Sequence, residues 1–145
     1  MLRIELITPD GPVFEGDADG ISLPTPDGEI TVLPHHIPLI SIVVPGSITV
    51  RQGREEKLFA VSRGVIEVAP STGSGQATTV RILADSADRA DELQEEAIER
   101  AKADAEKLAS ERRHDAAGFA DATALLEKEL ARLQVVRRHR SKKRI

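Results

Sequence analysis

Thr25-Pro26-Asp27-Gly28-Glu29-Ile30-Thr31-Val32-Leu33-Pro34-His35-His36-Ile37-Pro38-Leu39-Ile40-Ser41-Ile42-Val43-Val44-Pro45-Gly46 is the stretch whose reading decides the fold. Asp27-Gly28 is a tight-turn dipeptide, because glycine accepts a positive φ that other residues resist. Glu29 to Leu33 follows as a strand. Pro34 and Pro38 then bracket His35-His36-Ile37, and since proline lacks an N–H and fixes φ, neither a helix nor a central strand can absorb that segment. A stiff, exposed loop is the expected outcome. Leu39 to Val44 resumes as an apolar, β-branched strand, and Pro45-Gly46 turns the chain again. Two strands thus present a proline-bounded loop, the arrangement in which binding surfaces are commonly displayed.

The same grammar extends to either side. Leu2 to Ile7 alternates apolar and polar at period two, the signature of a half-buried strand, and Pro9-Asp10-Gly11-Pro12 ends it. Val13 to Glu15, Ala18 to Leu23, Ser47 to Arg51, Leu58 to Val61, Val65 to Val68 and Thr79 to Leu83 read as further strands. Gln52 to Glu56 is a polar hairpin tip. Short strands at hairpin spacing over residues 1–84 predict an antiparallel sandwich or barrel. Ser71 to Gln76 is rich in glycine and serine but lacks the lysine of a phosphate-cradling loop, so it reads as a flexible hairpin tip.

After Ala84 the period changes. Asp85 or Ser86 can cap a helix whose first turns are acidic, as the helix dipole favours, and no glycine or proline interrupts until Gly118. Ala90, Leu93, Ala97, Ala101, Ala105 and Leu108 form a narrow apolar stripe. Arg112-Arg113-His114 puts positive charge at the carboxyl end, and Asp115 to Gly118 supplies a turn. A second helix is expected from Phe119 to Val136, with Phe119, Ala122, Leu126, Leu130 and Leu133 on one face. The chain therefore divides into a β-sandwich domain, residues 1–84, an antiparallel two-helix hairpin, residues 85–136, and a basic tail, residues 137–145. With two leucines and four alanines on its inner stripe, the first helix has little apolar surface to offset the entropy of ordering, which predicts weak docking.

Charge is distributed unevenly behind a net value of −4. Residues 85–115 carry 11 acidic and 6 basic side chains, and residues 116–145 carry 3 and 8, so the two helices should attract one another. The tail beginning Arg137-Arg138-His139-Arg140 is either a solvated end or a grip on an acidic partner surface. Nucleic acid ranks behind both, because no aromatic is interleaved for base stacking. The chain has no cysteine, which excludes disulfides, thiolate nucleophiles and zinc-thiolate sites and fits a reducing compartment. No apolar run approaches the roughly 20 residues of a membrane helix, and no secretion signal opens the sequence, so a soluble, unsecreted protein is expected.

No catalytic constellation emerges. GxSxG, HExxH and dinucleotide-binding glycine patterns are absent from the sequence. His35 and His36 are adjacent in an extended segment, where neighbouring side chains point to opposite sides and do not converge on one metal. The expectation is no catalytic, cofactor or metal site.

Gly28 to Leu39, together with Ala60 to Val68 (AVSRGVIEV), Arg81 to Leu93 (RILADSADRADEL) and Leu126 to Val136 (LEKELARLQVV), resembles the epsilon-subunit family of F-type ATP synthases. The family pattern at the loop is close to GELGILPGHAPL. The resemblance covers nearly the whole chain in the same order. It implies a ten-stranded β-sandwich followed by two antiparallel helices, seated at the foot of a central stalk. It also implies a non-catalytic rotor subunit, peripheral on the cytoplasmic face of a bacterial membrane, linking the gamma subunit to the membrane rotor ring. By match to the motif, Glu29, His36, Ile37 and Ile40 are the candidates for contact with the polar loops of the ring. Another sandwich surface would bind gamma. The helices, with Leu93, Leu108, Leu126, Lys128, Leu130 and Arg132, would regulate ATP hydrolysis, Arg132 and the tail meeting acidic surfaces of the catalytic alpha and beta subunits.

Some family members close the hairpin on ATP through a motif resembling [IL]-D-x-x-R-A. The matching residues are Leu93-Gln94-Glu95-Glu96-Ala97-Ile98, so Gln94 replaces the acid and Ala97 the arginine, while Lys128 and Arg132 keep basic positions. Loss of a bidentate phosphate donor beside Glu95 and Glu96 predicts weak or absent ATP binding, testable by nucleotide titration. Two other departures are Arg63, where the family carries glycine, and Ser71 to Thr78, which lengthens the last hairpin. The residues also allow a second reading from a different class, a free-standing β-sandwich ligand or nucleotide sensor closed by its helical hairpin.

Overall fold

Ten strands form two five-stranded sheets in a computed structural model that describes residues 1–70, 77–93, 95–112 and 115–143. The strands are β1 (Leu2–Thr8), β2 (Gly11–Ala18), β3 (Gly20–Thr25), β4 (Gly28–Val32), β5 (Leu39–Val43), β6 (Gly46–Gln52), β7 (Glu55–Val61), β8 (Gly64–Ala69), β9 (Thr78–Ala84) and β10 (Ala87–Arg89). One sheet has the order β2-β1-β9-β8-β5 and the other β10-β7-β6-β3-β4. Neighbours are antiparallel except β1 and β9, which run parallel with Leu2 opposite Thr78. The hairpin tip expected at Ser71 to Gln76 lies outside the described residues.

Alternation drives the packing. In β1 the residues Leu2, Ile4 and Leu6 are buried while Arg3 is exposed, and the same period puts Ile66 and Val68, Val80 and Ile82, Ile21 and Leu23, and Ile48 and Val50 into one core between the sheets. Phe14 and Phe59 meet across that core with ring centroids 5.6 Å apart. Every fully buried residue of this cluster lies between Leu2 and Ala84, so the sandwich has a core independent of the helices.

The helical part departs from expectation at both ends. Ala87–Arg89 is a tenth strand, paired with Phe59 to Val61 of β7, where a helix starting at Asp85 or Ser86 was expected. The edge of β7 offers these residues a hydrogen-bonded ladder. A 3-10 turn at Ala90–Glu92 and an extended Leu93 follow, and the first α-helix, α1, spans Glu95–Glu111. Leu93 thus sits at the junction, not on the helix. The second helix, α2, spans Ala116–Lys143, starting before Phe119 and running past Val136 through the segment expected as a tail. Its basic end is ordered by partners: Arg137 and Arg140 pair with Glu95 at 3.2 and 2.6 Å, and Arg138 donates to Ser47 Oγ at 3.2 Å.

The seam between the helices is also shifted. Ile98, not Ala97, is the buried residue in the first turns of α1, and Leu130 and Phe119 are exposed while Ala122 and Leu133 are buried. At 3.6 residues per turn, Ala122, Leu126, Glu129, Leu133 and Val136 share one face of α2, and Leu130 lies off it. α2 lies on the outer face of the second sheet against β6 and β7, over Ser47, Thr49, Leu58 and Ala60. Apart from Leu58 these side chains are small, and Ser47 and Thr49 are polar.

Candidate interaction surfaces

Three surfaces emerge from this scaffold. The first is the edge. β4 and β5 are the terminal strands of their respective sheets, and the loop from Leu33 to Pro38 joins them, so Glu29, His36, Ile37 and Ile40 lie along one continuous run of edge chain. Ile37 and Ile40 are 73% and 76% exposed, Glu29 is exposed, and His36 is half-buried. The loop is held from inside: His35 N–H donates to Thr78 Oγ1 at 3.1 Å and His36 N–H to the Leu33 carbonyl at 3.1 Å. His36 Nδ1 lies 2.7 Å from the Ile37 carbonyl, which binds its ring back onto the loop. His35 adopts φ +67°, a left-handed conformation at the position where the motif GELGILPGHAPL has glycine.

The second surface escaped the sequence reading. On the outer face of the first sheet, Ile42 is opposite Val65, Val65 opposite Leu83, and Leu83 opposite Ile7. Ile42, Val65 and Leu83 are 59%, 44% and 52% exposed, forming an apolar row that no part of the described chain covers. One pairing step away along the strands, the row is ionic: Ile40, Glu67, Arg81 and Glu5 align, and Arg81 Nε donates to Glu5 Oε2 at 2.9 Å. That hydrogen bond raises the Arg81 pKa above its ordinary value. The signal was present in strands apolar on both faces, Leu6-Ile7 and Ile82-Leu83, but only lateral alignment of four strands makes them a patch.

The third surface is the seat of the hairpin. Leu58, Ala60, Ala90 and Val135 form a small apolar cluster, and Ile98, Leu133 and Val136 another, with Leu93 packed against both. Polar ties flank them. Arg132 Nε donates to Asp88 Oδ2 at 2.8 Å and its Nη1 to Glu129 Oε1 at 2.9 Å. Arg63, which stands where the family carries glycine, reaches Glu127 on α2 at 3.0 Å. Leu108, Leu126 and Lys128 are half-buried, and Leu130 points away from the seam.

A sandwich with an uncovered edge, an apolar row uncovered among the described residues and a helical arm seated on one sheet has the features of a docking subunit. Residues 1–90 match the family model described as the ATP synthase delta/epsilon chain, beta-sandwich domain. The chain is 39% identical over 145 residues to the ATP synthase epsilon chain of Chloroflexus aggregans, covering 99% of this chain and 97% of that one. It is 35% identical over 137 residues to the ATP synthase epsilon chain of Halalkalibacterium halodurans, covering 94% and 98%. Among solved structures it overlays a chain of the Euglena gracilis mitochondrial ATP synthase OSCP/F1/c-ring assembly with a TM-score of 0.69 at 23% identity, covering 87% of this chain and 75% of that one, a likeness of fold. The chain belongs to the ATP synthase epsilon family, non-catalytic stalk subunits of the ATP synthase complex.

Proposed function

We propose that the chain works as the rotor-stalk subunit that joins the gamma subunit to the membrane ring of a proton-translocating F-type synthase. The observation that carries this is the uncovered Ile42-Val65-Leu83 row together with the exposed Ile37 and Ile40 of the adjoining edge. A folded sandwich leaves contiguous apolar side chains in water where a partner is to cover them. In this reading the Ile42-Val65-Leu83 row seats on gamma, and the edge bearing Glu29, His36, Ile37 and Ile40 meets the polar loops of the ring. The two lie on adjoining parts of one rigid body, so torque passes from one to the other without a hinge. The helical hairpin, including Leu93, Leu108, Leu126, Lys128, Leu130 and Arg132, regulates hydrolysis through the alpha and beta subunits, and the complex stands on the cytoplasmic face of the cell membrane.

The gamma contact can be tested by capture. Leu83 points outward from β9, so Leu83→Asp should leave the far-UV circular dichroism unchanged while reducing capture by immobilised gamma subunit at least tenfold, the equivalent of about 1.4 kcal/mol. Undiminished capture by a folded Leu83→Asp chain refutes the assignment of that face.

A further inference from the structure

Glu129 is out of keeping with its position. It falls at helical spacing with Leu133 and Val136, which pack against Ile98 of α1, and it is only 3% exposed. One carboxylate oxygen accepts from Arg132 at 2.9 Å. The other, Oε2, is buried with no hydrogen-bond partner among the described residues. Arg132 is itself shared, since its Nε is engaged by Asp88 of β10. One guanidinium therefore serves two carboxylates, and the carboxylate inside the hairpin is the less satisfied of the two.

We propose that Glu129 is the release element of the hairpin, a charge buried between the helices that destabilises the closed arrangement and is relieved when α1 and α2 part. A single polar residue at a core position of paired helices fixes register at a cost in stability. A buried charge lacking a full set of partners loses its hydration without full compensation. Water reaches Glu129 only when the seam opens, so the penalty falls on the closed state alone. Arg132 moderates it and couples it to the sandwich: while Arg132 bridges Glu129 to Asp88, closure of the helices on each other and seating on β10 stabilise one another. This inference rests on the regulatory reading of the hairpin for its biological meaning, and on the geometry for its sign.

Amide hydrogen exchange on the full chain tests it, because seam amides report the opening equilibrium even when the open form is rare. Glu129→Met keeps the length of the side chain and favours helix, and leaves Arg132 paired with Asp88. Exchange of amides around Ala105 and Leu126 should slow by about tenfold while the strand amides stay unchanged. Arg132→Met should act in the opposite sense, speeding the same amides by a similar factor, because Glu129 then has no partner. Adding Glu129→Met to Arg132→Met should restore protection well above that of Arg132→Met alone, the remaining deficit reflecting the lost tie to Asp88. Unchanged or faster seam exchange in Glu129→Met overturns the proposal. So does a double variant as open as Arg132→Met alone, and this second comparison remains decisive if Glu129→Met packs poorly. ATP hydrolysis by the assembled complex separates the inference from the reading beneath it: slower exchange with unaltered hydrolysis leaves Glu129 as the release element and removes the regulatory role of the helices.

Discussion

His35 shows how a single backbone angle can be legible only in part. The two prolines around His35-His36-Ile37 announce a loop, and the structure has one there, tied to β9 through Thr78. What proline spacing does not reveal is which residue takes the left-handed turn. His35 does so at φ +67°, where the Cβ of an L-residue crowds the following carbonyl. Its N–H bond to Thr78 compensates by anchoring the turn. Because glycine escapes the crowding and alanine does not, His35→Gly should be more stable than His35→Ala by about 1 kcal/mol in urea denaturation. Equal midpoints would mean the turn has another, unstrained conformation open to it. Glu129 illustrates the opposite case. An acid at helical spacing reads as part of a solvated face, and only the packing of the folded chain makes the position an interior one.

At the scale of elements, the change from period two to period 3.6 after Ala84 marked the passage from strands to helices, and both helices exist. The boundary was harder to place. β10 is three residues long, with one apolar side chain, Ala87, packed against the core, and its identity as a strand comes from the exposed edge of β7 alone. A strand defined by its neighbour leaves almost no trace in its own residues. The end of α2 was missed for a related reason: a run of like charges reads as a disordered tail, but the acids that neutralise Arg137 and Arg140 lie across the hairpin at Glu95 and Glu99. The two boundaries have different consequences for a shortened chain. Ending after Leu93 keeps β10 and the whole core, so the sandwich should unfold near its normal urea midpoint. Ending after Ala84 removes the ladder that covers β7 and should lower stability by about 1 to 2 kcal/mol through lost hydrogen bonds. Identical midpoints for the two would show that β10 contributes nothing to the sandwich.

For the molecule as a whole, the layered architecture and the proline-bounded loop are legible because both are written in consecutive residues, whereas Glu29, His36, Ile37 and Ile40 become candidates only through the family resemblance. The Ile42-Val65-Leu83 row is not legible, because it depends on β5, β8 and β9 lying side by side in register. The proposed division between these surfaces makes a prediction for the assembled complex. Ile40→Asp places a charge on the ring-facing edge while leaving the gamma-facing row intact, so ATP hydrolysis should continue while ATP-driven proton pumping falls severalfold, read by dye quenching in inverted vesicles. Pumping that stays in proportion to hydrolysis would exclude Ile40 from the transmission path.

The parallel pairing of β1 with β9 carries a consequence for how the protein is made. Leu2 lies opposite Thr78, so β1 has an interior place in its sheet that cannot be completed until β9, far later in the chain, has been made. β2 alone can shelter β1 in the meantime, by a local hairpin. Such distant pairing belongs with the slower folders, in milliseconds to seconds, and leaves an apolar strand edge open during synthesis. A nascent chain arrested before Thr78 emerges should therefore be readily clipped by protease, and one arrested after the helices have cleared the exit tunnel should resist.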